Sequence, residues 1–327
     1  MAPRTRVTLV VATVAAAAAA AAVGVTLLQT RGAGRDGAQT GVTRPRAGRP
    51  PLLLDLGVRA DPEAVALRRA SALYDAGRPH AAERVFSRYR SVDGRIGAAL
   101  ARWPDGSLDG LEKLVAAHPG NATAELHLGL AELWAGRTAD AVAAWRRAVT
   151  AQPDTPAAGH ANDLLHPNFP RGLPPFVPSV GPSRALGRLP PDQELAALAR
   201  AAHAPDARAK LLYGIALQQL GRPLSAEREF AAAAALAPGD PEAQVAAAVG
   251  RFTKDHPERA FGRLGPLMRA FPHAATVRFH LGVMLLWLGQ VRKATQELQR
   301  ARALAPRSPI GREAGRFLIR LGTVGTK

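Results

Sequence analysis

Ten residues recur in this chain almost unchanged. "HLGLAELWAG" at 127–136 and "HLGVMLLWLG" at 280–289 both read H-L-G-x-x-x-x-W-x-G, and "LLYGIALQQLG" at 211–221 keeps the two glycines at the same separation. Gly214 and Gly282 stand 68 positions apart (282 − 214), which is twice 34. A fixed period of this length marks stacked supersecondary units, because one such unit cannot bury its apolar face alone. Laid out at 34, the chain gives contiguous blocks at 207–240, 241–274 and 275–308, and a further copy at 122–155.

Each block reads as two helices. In 122–155, Leu126, Gly129, Leu130 and Leu133 share one helical face. Gly136 then supplies the left-handed residue that ends a helix, and Thr138 is placed to cap the next. Ala141, Trp145, Ala148 and Val149 form the second face, and Pro153 stops it. Pro238, Pro272 and Pro306 close the other blocks, while Asp240-Pro241 and Ser308-Pro309 read as cap and first turn of the next helix.

These residues resemble the tetratricopeptide repeat family, a 34-residue helix-turn-helix unit. The family's small residue at the close helix crossing matches Gly129, Gly214 and Gly282, with Ala70 and Ala248 as looser matches. Its second-helix alanine matches Ala82, Ala141, Ala226, Ala260 and Ala294, and the large residue four later matches Phe86, Trp145, Phe230, Leu264 and Leu298. The further small residue is Ala148, Ala233 and Ala301. Glu125 and Glu132 stand where the family carries first-helix aromatics. The resemblance implies an all-α solenoid whose concave groove is lined by first helices. The implied peptide-binding candidates are Leu126, Leu130, Leu133 and Trp134; Leu211, Ile215, Gln218 and Gln219; and Phe279, Val283, Leu286 and Trp287, the alternative for Trp134 and Trp287 being packing against the following helix or the chain itself. The charged clamp that some members use for a peptide carboxylate has no counterpart at these places. An apolar or amphipathic partner segment is therefore expected.

Two places break the period. Residues 95–121 are short, although "SLDGLEKLVAAHP" still reads as a second helix. Residues 156–206 span 51 positions, where "PPDQELAALARAAHA" is a helix whose partner is replaced by a proline-rich run. The expected organisation is repeats at 51–155, a connecting segment at 156–190, and repeats with a terminal helix at 191–327. "LHPNFPRGLPPFVPSVGP" at 165–182 holds six prolines, so it is no helix. It also carries Phe169 and Phe176, more apolar than a solvated linker, and is expected to lie ordered on the repeats.

The N-terminus reads as a targeting signal. "MAPRTR" is a basic leader, and Val7 to Leu28 gives 22 residues without a charge. That length suits a single membrane span of about 20 residues better than a cleavable apolar core of about 7–15. The expectation is a cell-membrane anchor at 7–28 with extracytoplasmic repeats, the alternative being secretion after cleavage. Residues 29–50, rich in Gly, Arg and Pro, read as a disordered linker. "PLLLDLGV" at 51–58 reads as a segment packed onto the first helix.

Chemistry is absent from the pattern. The chain has no cysteine, no nucleophile elbow, no phosphate loop and no H-E-x-x-H. His127 and His280 occupy equivalent places without a second ligand three or four residues on, so no metal, no cofactor and no catalytic residue is expected. The formal charge of +17 comes with 38 arginines among 43 basic residues, but no arginine run alternates with aromatics. A nucleic-acid partner is not expected. The expected function is a non-enzymatic scaffold of the cell envelope that binds protein or peptide segments; the alternative is arginine-mediated binding to an anionic polymer or lipid surface.

Overall fold

The computed structural model describes residues 45–179 and 181–324 of the 327-residue chain. The described residues are all-helical apart from turns and extended segments, and they form two compact units divided between His166 and Pro167.

The N-terminal unit holds three helix pairs and a terminal helix. The pairs are α1 (Pro62–Asp75) with α2 (Pro79–Phe86), α3 (Val92–Ala101) with α4 (Ser107–Ala117), and α5 (Ala122–Trp134) with α6 (Thr138–Ala151). The terminal helix is α7 (Pro156–Leu165). The C-terminal unit opens with a short 3-10 turn (Leu186–Arg188) and α8 (Pro191–Ala202). Its pairs are α9 (Ala207–Gln219) with α10 (Pro223–Leu236), α11 (Pro241–Gly250) with α12 (Glu258–Ala270), and α13 (Ala275–Trp287) with α14 (Val291–Leu304). It ends in α15 (Pro309–Val324). Both units thus share one design, and in both the H-L-G-x-x-x-x-W-x-G helix opens the third pair.

The caps explain where the helices begin. Asp61, Asn121, Thr155, Asp206 and Asp240 each accept a first-turn N–H, and Ser308 accepts from Gly311 at 3.0 Å. Such a cap contributes about 1 kcal/mol. Thr138 is not the cap expected of it: Arg137 holds that position and makes no side-chain cap bond. That helix start is fixed by its turn instead. Gly136 and Gly289 adopt φ of +84° and +68°, and the following N–H reaches back to the carbonyl five residues earlier, Arg137 to Glu132 at 2.8 Å and Gln290 to Leu285 at 2.9 Å. A β-carbon is disfavoured at such a left-handed residue.

The crossings are as tight as the repeat pattern demands. A β-carbon on Gly129 would stand 2.6 Å from Cδ1 of Trp145, and one on Gly282 would stand 2.9 Å from Cγ of Leu298. Phe86, Trp145, Phe230, Leu264 and Leu298 are all buried in these wedges. Each contributes on the order of 1.5–3 kcal/mol by leaving water. The terminal helix of the C-terminal unit is sealed by Phe317, whose ring meets Phe279 edge-on at 5.8 Å.

Two expected boundaries change. Residues 156–165 form α7, packed through Ala157 and Ala161 beside Trp145, so the connecting segment does not begin at 156. Thr155 and Pro156 start that helix as a cap and first residue, which the proline-rich composition downstream concealed. Residues 45–50 are not free linker, because Pro50 is buried and Arg46 is hydrogen-bonded to α5. The first unit accordingly includes them. The span expected at 7–28 and the linker to residue 44 lie outside the described residues. Among the described residues no helix is long and apolar enough to cross a membrane.

Candidate functional site

In each unit the first helices present a face that is already occupied. The occupant is an extended strap that precedes the helices in sequence: residues 46–57 in the N-terminal unit and 172–181 in the C-terminal unit, Val180 lying outside the description.

The C-terminal strap is held by polar side chains from all three first helices. Gln218 of α9 accepts the amide of Phe176 at 3.0 Å and donates to the carbonyl of Pro174 at 3.4 Å. His280 of α13 accepts the amide of Val177 through Nε2 at 2.9 Å. Glu242 of α11 accepts both the amide and, at 2.6 Å, the hydroxyl of Ser179. Trp287 donates its indole N–H to the carbonyl of Gly172 at 3.3 Å, and Arg208 reaches the carbonyl of Gly181. Apart from the Ser179 hydroxyl these bonds read backbone, so they select an extended chain before they select side chains. The side-chain anchor is Phe176, 2% exposed, stacked on the His280 ring at 4.9 Å and edge-on to Phe230 at 5.5 Å. Phe169 packs on the same core from further out. The expectation of an ordered proline-rich segment anchored at these two rings agrees with this arrangement.

The N-terminal strap repeats the plan. His127 of α5 accepts the amide of Leu53 through Nε2 at 2.9 Å. Tyr74 of α1 donates its hydroxyl to the carbonyl of Pro50 at 2.7 Å, and Arg68 donates to Gly57 at 3.0 Å. The amide of Arg46 donates to the carbonyl of Trp134 at 2.9 Å, and its guanidinium sits 5.2 Å over that ring. Leu52 and Leu56 are buried in the core beneath.

The two straps share a register. Leu53 and Val177 are 124 apart (177 − 53), as are Pro50 and Pro174, and Gly57 and Gly181. At that offset "GRPPLLLDLG" (48–57) lies over "GLPPFVPSVG" (172–181), giving glycine, any residue, two prolines, two apolar residues, and an apolar-glycine end. Gly48 and Gly172 both have positive φ, +82° and +72°. Leu52 therefore stands where Phe176 stands, and the histidines hold equivalent amides.

Both imidazoles are fixed in one protonation state. Nδ1 of His127 lies 2.7 Å from the carbonyl of Thr123, and Nδ1 of His280 lies 2.7 Å from the carbonyl of Thr276. A carbonyl only accepts, so Nδ1 carries the proton and Nε2 is free to accept the strap amide. Burial pushes both rings down to about 4, against the pull of those carbonyls. A protonated ring could not accept at Nε2. The neutral Nδ1–H tautomer is thus the binding form.

The residues expected to line an open groove are placed as follows. Leu126 and Leu130 are buried with Trp145 and Ala161, and Leu133 and Trp134 pack half-buried on the same cluster with Leu53. Leu211, Ile215, Val283 and Leu286 are buried in the C-terminal core, joined by Phe279 under Phe317. Trp287 is 2% exposed, Gln218 holds the strap, and Gln219 is exposed at the end of α9. The first-helix faces are therefore closed by the chain's own straps. His127, His280, Glu242, Tyr74, Arg68 and Arg208 hold the straps and are residues that sequence reasoning did not place in the groove. The duplicated H-L-G and the G-x-P-P pair, each repeated in both halves, were the signals that could have found them. Among the described residues no group of three or more metal-ligating side chains comes together.

No protein-family model and no curated protein matches the chain. Similar solved structures exist at low identity. A tetratricopeptide repeat protein from Parabacteroides merdae is 13% identical with a TM-score of 0.34, covering 80% of this chain and 98% of that one. The complex of the TPR2AB domain of yeast Sti1 with pHSP90 gives 12% and 0.30, with 80% and 98% covered. PilW, a type IV pilus biogenesis factor, gives 15% and 0.30, with 78% and 98% covered. The repeat assignment rests on the helix pairs, crossings and turns described above.

Proposed function

We propose that this chain, an all-α array of tetratricopeptide-like helix pairs, is a protein-interaction scaffold that works by binding, without a chemical step. Its first-helix faces hold extended, proline-containing segments through their backbone N–H groups. The observation that carries this reading is the second strap: two faces in one chain hold segments of the same pattern, in the same register, on equivalent histidines. Recognition of backbone by fixed side-chain acceptors, with pockets for alternate side chains, is a recurrent way of binding an extended peptide. Proline lowers the entropy lost when such a segment is ordered. A partner segment takes a strap's place against Leu126, Leu130, Leu133 and Trp134 in one unit. In the other it lies against Leu211, Ile215, Gln218, Gln219, Phe279, Val283, Leu286 and Trp287.

The setting we propose is the cell envelope, with residues 7–28 as a single membrane anchor and the repeats outside the cytoplasm. The basic leader and the uncharged 22-residue run support it. A periplasm-active phosphatase fused after residue 50 tests the direction; activity only from a cytoplasm-restricted reporter reverses it. A photo-crosslinking residue at exposed Gln219 tests the scaffold reading in native membranes. Partner crosslinks are expected to be suppressed by a peptide of residues 172–181 and insensitive to salt. Steep loss with salt and indifference to the peptide would point to arginine-mediated binding of an anionic surface instead.

A further inference from the structure

The two units treat their equivalent tryptophans differently. In the C-terminal unit Trp287 is buried, its N–H is satisfied by Gly172, and the residues just before, through Phe169, pack on the core of which it is part. At the 124-residue offset the counterpart of Phe169 is Pro45, which is exposed and brings no ring. Trp134 is left half-buried beside a cleft of ≈ 950 Å³ within the N-terminal unit. Its N–H is shut off from solvent and has no hydrogen-bond partner. Tyr74, Trp103 and Pro50 line the cleft, and Arg46 and Arg49 stand exposed on its rim. Neither arginine has a carboxylate within ion-pair distance among the described residues, and Asp75 is the one acid on the lining.

We infer that this cleft is a docking site for a partner's extended segment that carries an aromatic residue between prolines and an acidic residue beside them. The inference rests on the scaffold reading and names the partner chemistry of one unit. The C-terminal unit supplies the template: Phe169 of its own "PNFPRG" run (167–172) packs on the core that holds Trp287, whereas the counterpart residues 45–48 lay only the Arg46 guanidinium over Trp134 and bring no ring to the cleft beside it. Three aromatic rings and a proline wall favour a proline–aromatic ligand, because such a chain is stiff and stacks at low entropic cost. The rim departs from the template. Two arginines against one aspartate favour a carboxylate where the template has Arg171.

The test is calorimetric titration of the full chain in detergent with the heptapeptide of residues 167–173 carrying Arg171→Glu. Saturable binding is expected, weakened about tenfold when the peptide's Phe169 is replaced by Ala, as for a buried aromatic anchor. In the protein, Trp103→Ala should weaken it similarly. Arg49→Glu, at an exposed position that leaves folding alone, should weaken it about fivefold and favour the unaltered Arg171 peptide. His280→Phe should leave it unchanged, since that residue holds the other unit's strap. Absence of saturable binding, or binding indifferent to both Trp103→Ala and Arg49→Glu, overturns the inference. Failure of strap exchange at His280 with this binding intact would sink the general scaffold mechanism and leave the cleft standing; the reverse pattern would sink the cleft alone.

Discussion

The amide of Val177 donates to Nε2 of His280 at 2.9 Å across 103 positions of sequence. That bond joins the proline-rich strap to the third helix pair, and it exists only while the imidazole is neutral and its Nδ1 faces the carbonyl of Thr276.

His280→Phe should keep the stack on Phe176 and remove the acceptor. The Val177 amide is then left without a partner in a part-buried site, a loss of about 1–3 kcal/mol. Chemical denaturation of the variant should show that loss, and hydrogen exchange at Val177 should quicken while the helices stay protected. Unchanged exchange at Val177 would mean the bond contributes nothing.

The same bond makes the strap acid-sensitive. The ring titrates near 4 in the fold against 6.5 when free, because burial disfavours its charge. The folded state therefore binds fewer protons between those values. Stabilisation by the neutral ring is complete above pH 6.5 and is lost as pH falls toward 4, by about 1.4 kcal/mol per pH unit for each such ring. In the N-terminal unit His127 acts in the same sense. Asp93 opposes it there, since burial first and Asp55 next push that carboxyl up to about 6. Val177 is thus the cleaner reporter. Its NMR signal should stay constant from neutral pH to about 6 and shift on approach to 4.

Gly129→Ala places a β-carbon 2.6 Å from Cδ1 of Trp145, which is buried and cannot swing away. We expect a loss of about 1–3 kcal/mol. Gly315→Ala is the control: its nearest neighbour is the flexible Arg302 side chain at 3.8 Å, so helix propensity decides and a gain of about 0.5–1 kcal/mol is expected. Thermal melts of the two variants should move in opposite directions.

What could be read from the sequence was what recurs locally. The Gly129–Trp145 crossing shows as a glycine and a large residue at fixed spacing, and such short-range pairs survive a one-dimensional reading. The helix at 156–165 did not, because the prolines downstream outweighed the Thr155-Pro156 start. The straps were half legible. Six prolines and two phenylalanines marked 165–182 as ordered but not helical, whereas "PLLLDLGV" carried no sign of which histidine it meets 74 residues away. The bonds that seat both straps run from side chains to backbone, and a backbone amide leaves no letter in the sequence. The histidines looked idle for that reason.

Trp287→Ala removes a side chain that is 2% exposed and the donor to Gly172. A buried tryptophan truncated to alanine costs about 3–5 kcal/mol. The melting temperature should fall steeply, and trypsin should then cut after Arg171. Gln219→Ala, at an exposed site on the same surface, should leave both unchanged.

The most direct measurement replaces the strap. Residues 174–179 of the full chain are exchanged for a Gly/Ser run of equal length, and a peptide of residues 172–181 is titrated in by calorimetry. Saturable one-to-one binding is expected, abolished when Nε2 is removed by His280→Phe. A chain that keeps its helices by circular dichroism yet takes up no peptide would contradict the claim that the first-helix face is a binding surface.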